Sequence, residues 1–114
     1  MNFIKKTKYF IVFYGISLLS VAASAASIDE LIAAVLRNNA SGVRTQIEEG
    51  INPNQQDAKG RTALTLAIYQ RSEKAIPVLL QSRRVDINTL NSAGESPLML
   101  AIITGQDELA KQLI

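Results

Sequence analysis

The chain has no cysteine, no histidine and no tryptophan. Without cysteine there can be no disulfide, so in an oxidising compartment packing alone must hold the fold. Without histidine, triads that use a histidine base are excluded, and so are zinc sites of the usual N/S type. Aromatics are scarce: five of the six (Phe3, Tyr9, Phe10, Phe13, Tyr14) lie within the first 14 residues, leaving only Tyr69 beyond them. A nucleic-acid surface wants a basic stripe with interleaved aromatics, and the body of the chain offers neither. Gly60 and Gly94 are single turn glycines with no Walker-type lysine after them, so no phosphate loop is present. The carboxylate pairs Asp29-Glu30, Glu48-Glu49 and Asp107-Glu108 are sequence neighbours. On a helix, neighbours do not share a face, which excludes paired acid–base work. No catalysis, no cofactor and no metal are expected.

The N-terminus opens "MNFIKKTKYFIVFYGISLLSVAASAAS". Lys5, Lys6 and Lys8 precede an uncharged stretch that ends in small residues, including Ala23-Ser24-Ala25. This is the layout of a secretory signal peptide over residues 1–25, cleaved after Ala25 to leave 26–114. If uncleaved, the same stretch is long enough to anchor the chain in a bilayer. The formal charge of +2 depends on those lysines, since only 12 basic residues face 10 acidic ones in the whole chain. The basic balance is therefore a targeting feature and says nothing about partners. A short Lys-rich leader ahead of a cysteine-free domain points to a bacterial periplasmic or secreted protein.

What the sequence does have is repetition. "GRTALTLAI" (60–68) returns 34 positions later as "GESPLMLAI" (94–102), with Leu64/Leu98, Leu66/Leu100, Ala67/Ala101 and Ile68/Ile102 in step. A fixed period of this size marks a stacked repeat array. The unit is a helix pair. Residues 27–39 predict a helix capped by Ser27, with Leu31, Ile32, Val35 and Leu36 at helical spacing. A second runs from about Ser41 to Glu49 and stops at Gly50. Thr62 and Ser96 cap the next first helices, and Pro97 takes the first helical position of the last. Ala75, Ile76, Leu79 and Leu80 precede Leu109, Ala110, Leu113 and Ile114 by one period. Pro77 falls inside the second helix of the middle unit, where it is expected to remove a backbone bond and bend the helix.

These residues resemble the ankyrin repeat. "DAKGRTALTLA" (57–67) carries Asp57, Gly60, Thr62 and Leu64 of that family's core, "NSAGESPLMLA" (91–101) carries Gly94, Ser96, Pro97 and Leu98, and the exits match on Asn54 and Asn88. The similarity implies an all-α solenoid of about three helix-turn-helix repeats joined by β-turn fingers, at about 28–56, 57–90 and 91–114. Three departures stand out. The family's histidine is Thr65 in one copy and Met99 in the other, so its hydrogen bonds must be absent or replaced. One extra residue sits near Arg83-Arg84, a pair expected to be solvated surface. The third unit stops inside its second helix, as in a fragment of a longer array or an end that something covers.

The resemblance further implies a protein-binding module that docks its partner on the concave side, made of finger tips and the open face of the first helices. Carried over, the fingers offer Ala58, Lys59 and Arg61, then Ser92, Ala93 and Glu95. The first helices offer Leu36 and Arg37, then Tyr69 and Gln70, then Ile103 and Thr104. Leu36, Tyr69 and Ile103 take the same place in successive repeats, so they form either a continuous apolar stripe or ordinary core. Partial burial is expected of Leu36 and Ile103, and Tyr69 is the favoured contact. An inhibitor, immunity or accessory protein of an exported enzyme remains open, as does a membrane-tethered structural protein with an uncleaved leader.

Overall fold

The computed structural model describes residues 27–114. The expected signal peptide and its expected cleavage site lie outside the described residues. Six helices follow in order, α1 (Ile28–Leu36), α2 (Ala40–Glu48), α3 (Ala63–Tyr69), α4 (Ala75–Gln81), α5 (Pro97–Ile103) and α6 (Asp107–Leu113), with no strand among the described residues. They form three antiparallel pairs stacked side by side: α1, α3 and α5 make one layer, and α2 packs on α4 behind it. This is an all-α repeat solenoid.

The first helix of each pair starts where a hydroxyl supplies the cap. Ser27, Thr62 and Ser96 accept hydrogen bonds from the backbone N–H groups of Glu30, Thr65 and Met99, satisfying donors that no helical carbonyl can reach. α1 ends three residues before the expected Asn39, because Asn38 turns left-handed (φ 52°) and Asn39 caps α2 through Gly42 N–H. Arg71 (φ 57°) and Gly105 (φ 72°) make the same turn in the later repeats. Leu31, Val35, Val43, Ile68 and Leu79 are fully buried and, with Leu64, form a core shared between neighbouring repeats. Truncating any of these leucines or Ile68 to alanine is expected to cost about 2–5 kcal/mol.

Pro77 acts at the start of its helix. Its missing N–H leaves the Glu73 carbonyl without its helical donor. α4 therefore opens at Ala75, whereas α2 and α6 open at the residues equivalent to Glu73. The Lys74 N–H donates to Asn38 Oδ1 of the preceding repeat at 2.8 Å, and the Ala75 N–H is shared between that oxygen, at 3.1 Å, and the Ser72 carbonyl, at 3.0 Å.

Neighbouring repeats are also joined by polar clasps. Ser72 Oγ donates to the Val35 carbonyl, and one period later Gln106 Nε2 donates to the Ile68 carbonyl at 2.8 Å. Asn54 donates to the Arg84 carbonyl and accepts from Asp86 N–H. Arg84 is more than solvated surface. Its guanidinium donates to the Ile47 carbonyl at 2.7 Å and to that of Gly50 at 3.4 Å. Helix α2 has no basic residue in its last turn, so Arg84 supplies the positive charge that a helix C-terminus favours.

Candidate functional site

The site is built from two fingers and two first helices. Each finger is a tight turn closed on one carboxylate or amide. In the second repeat, Asp57 Oδ1 accepts from Lys59 and Arg61 N–H, while Asp57 Oδ2 receives Arg61 Nε at 2.9 Å and Nη2 at 2.7 Å. Asn91 closes the next finger in the same way. Its Oδ1 accepts from Ala93 and Glu95 N–H, and its Nδ2 donates to Glu95 Oε1 at 2.8 Å. Burial pushes the Asp57 carboxyl up, but the Arg61 side chain, its N–H and its charge, together with Lys59 N–H, outweigh this. The net effect holds Asp57 below its ordinary value.

Gly60 and Gly94 turn the fingers with φ of 77° and 78°, a region open to glycine at little cost. The fingers then stack: Ser92 N–H donates to the Gly60 carbonyl at 2.9 Å, and Gln56 Nε2 to the Leu90 carbonyl at 3.2 Å. Behind them Thr65, in place of the family's histidine, shares a 2.5 Å hydrogen bond with Thr62 Oγ1. A hydroxyl pair thus replaces the ring, and both threonines stay buried.

Between the fingers and helices α3 and α5 lies an open groove of about 500 Å³, lined by Arg61, Thr65, Leu66, Tyr69, Gln70, Asn91, Glu95 and Leu100. Four of the expected residues, Arg61, Tyr69, Gln70 and Glu95, therefore meet in one place. Arg61 and Glu95 are half-buried and already paired within their own fingers, which fixes them as a rigid polar rim. Tyr69 is 66% exposed at the end of α3. Ala58, Lys59 and Ser92 are exposed on the finger tips, outside the groove lining.

Leu36 and Arg37 are exposed at the end of α1. Ile103 is 70% exposed, not partly buried as expected. The reason is that the fingers stack on one another rather than over the last residues of the first helices. Leu36, Tyr69 and Ile103 all stand open. Thr104 is half-buried and donates to the Leu100 carbonyl at 2.6 Å, so its hydroxyl is spent inside the fold. Sequence reasoning missed Thr65, Leu66, Asn91 and Leu100. Their places in the repeat were visible, but each reads as cap, core or turn until the groove between repeats is seen.

A family model for ankyrin repeats, in three copies, matches residues 31–114. The chain belongs to the ankyrin-repeat family. Members of this family generally mediate protein–protein interaction and are typically non-catalytic. The chain is 35% identical over 74 residues (65% of its length) to neurogenic locus notch homolog protein 4 of Homo sapiens, covering 4% of that protein. It is 39% identical over 56 residues (49% of its length) to rabankyrin-5 of Mus musculus, covering 5% of it. To ankyrin repeat domain-containing protein 63 of Homo sapiens it is 36% identical over 72 residues, 63% of this chain and 19% of that one. The chain thus spans a small fraction of these relatives, and the similarity is confined to repeats.

Proposed function

We propose that this ankyrin domain binds a partner protein in the cell envelope, gripping it in the concave groove with Tyr69 at the centre. The observation that carries this is the exposed Tyr69 ring beside Leu66 and Leu100, inside a rim of Arg61, Gln70, Asn91 and Glu95. A lone aromatic in a partly apolar pocket with a polar rim has the make-up of an interface hot spot. Leu36 and Ile103 extend the apolar strip to either side. The partner contributes an apolar side chain against Tyr69 and hydrogen-bonding groups to the rim. The domain works by binding alone, without cofactor, metal or nucleic acid.

The envelope location rests on the leader: Lys5, Lys6 and Lys8, the uncharged stretch and Ala23-Ser24-Ala25. Export followed by cleavage yields a periplasmic or secreted domain beginning at Ala26. N-terminal sequencing of the protein from fractionated cells tests this. A start at Ala26 in the soluble envelope fraction is expected, and a start at Met1 in the membrane fraction would establish a tethered form instead. For the groove, Tyr69→Ala is expected to weaken the partner by more than about 1 kcal/mol, or roughly fivefold or more in Kd. Helicity should be unchanged. Equal affinity of mutant and parent removes Tyr69 from the site.

A further inference from the structure

The two fingers that wall the groove are built alike but charged differently. Asp57 and Asn91 hold the same place in successive fingers, and so do Arg61 and Glu95. In the second finger Arg61 Nη2 meets Asp57 Oδ2 at 2.7 Å, so guanidinium and carboxylate cancel. In the third, Asn91 Nδ2 donates to Glu95 Oε1 at 2.8 Å. That bond fixes the Glu95 side chain but leaves its charge uncompensated, because an amide is neutral. Among the described residues the ion pairs are Arg61–Asp57 and Lys111–Glu108, so no cation of the fold pairs with Glu95. Lys59, on the tip of the second finger, stands outside the groove lining, and Ala93 takes its place in the third.

What each wall has left to offer follows from these bonds. Arg61 spends Nε and Nη2 on Asp57, which leaves the Nη1 donors for a neutral acceptor. Glu95 spends Oε1 on Asn91 and keeps Oε2. Both side chains line the groove beside Leu66, Tyr69 and Leu100. A half-buried carboxylate against apolar surface is screened less than one in open water. An acidic side chain entering here is repelled by Glu95 and finds Arg61 already neutralised. A basic one finds an acceptor with its charge intact. The face of the exposed Tyr69 ring likewise attracts a cation and not an anion.

We propose that the partner segment held in this groove is basic, with an arginine or lysine next to the apolar residue that packs on Tyr69. The cation pairs with Glu95 Oε2 on the third-repeat side, and its methylenes lie along the apolar lining. On the second-repeat side, a backbone carbonyl of the segment accepts from Arg61 Nη1. The inference rests on the groove being the binding site, as proposed above, and adds the sign and placement of the partner's charge.

The test selects a phage-displayed library of random peptides on the full chain, then measures synthetic, fluorescein-labelled copies of the enriched peptides by anisotropy. The enriched peptides are expected to carry Arg or Lys beside Leu, Ile, Met or Phe. Glu95→Gln keeps the Oε1 acceptor for Asn91 and should weaken them about fivefold or more. Replacing the peptide's arginine by citrulline, or its lysine by acetyl-lysine, should cost the same, with no further loss when both changes are combined. The peptide change leaves the protein untouched, so this readout stands even if Glu95→Gln unsettles the finger. Binding to the parent should also weaken with added salt, and binding to Glu95→Gln should not. Enrichment of acidic peptides, or of no peptide, would overturn the basic partner. Peptides that need Tyr69 but neither Glu95 nor a cation would overturn it too, while leaving the groove as the binding site. Binding indifferent to both Tyr69→Ala and Glu95→Gln would sink the groove reading as well.

Discussion

Replacing Gly60 and Gly94 by alanine in separate variants isolates finger stacking from backbone conformation. Both residues sit at nearly the same left-handed φ, 77° and 78°, so both variants carry the same backbone penalty, about 1–2 kcal/mol. They differ in what the new methyl meets. At Gly94 there is open space within 4 Å. At Gly60 the methyl overlaps both Oγ and Cβ of Ser92, and the next nearest atom is Ser92 Cα at 3.6 Å. Rotating the hydroxyl relieves only the first overlap, because Cβ is fixed to the backbone of the neighbouring finger. That finger must shift and strain its Ser92 N–H bond to the Gly60 carbonyl, 2.9 Å long. Overpacking of this kind costs about 1–3 kcal/mol more. Urea unfolding followed at 222 nm should therefore place Gly60→Ala well below Gly94→Ala in midpoint. Ser92→Gly leaves only the 3.6 Å contact, an ordinary van der Waals distance, so combining it with Gly60→Ala should recover most of the difference. Equal losses in the two alanine variants, or no coupling with Ser92→Gly, would refute the stacked-finger geometry that forms the groove wall.

Arg84→Ala should cost about 1–2 kcal/mol, since it removes charged donors from the C-terminal carbonyls of α2, while Arg83→Ala should stay within about 0.5 kcal/mol. Comparable losses in denaturant titrations would show the clasp to be idle. Asp57 has a depressed pKa in the fold, so its stabilising contribution is present above the unfolded carboxylate value of about 3.9 and is lost as pH falls through the lower folded value. Asp57→Asn copies the amide already present at Asn91 and keeps an Oδ1 acceptor, but removes the ion pair with Arg61. Its stability deficit should be full near pH 6 and shrink towards pH 3, and a deficit independent of pH would contradict the assignment.

The period, the capped helix starts and the finger glycines were legible because each is a local pattern: a hydroxyl before an apolar run, or a glycine at a fixed distance from it. The clasps were not. Ser72 to Val35, Gln106 to Ile68, Asn38 to Lys74 and Arg84 to Ile47 join residues 36 to 38 positions apart. Polar side chains of this kind carry no periodic apolar signal, and Arg84 in particular reads as surface until its partner helix end is placed beside it. The Pro77 bond loss was foreseeable, but its consequence, a helix that starts late, shows only against α2 and α6. For the site, Tyr69 stood out through scarcity, as the one aromatic after Tyr14. Its groove companions Thr65 and Leu100 could not, since burial between repeats disguises a lining residue as core.

Whether the partner lies against Tyr69 can be measured in intact cells. A photo-cross-linking amino acid is placed at position 69 and, in a parallel strain, at the exposed convex position Gln81. One discrete adduct is expected from position 69, reduced by Leu36→Ala with Ile103→Ala, and none from position 81. Adducts from position 81 alone, or the same adduct from both, would contradict a partner held in the groove.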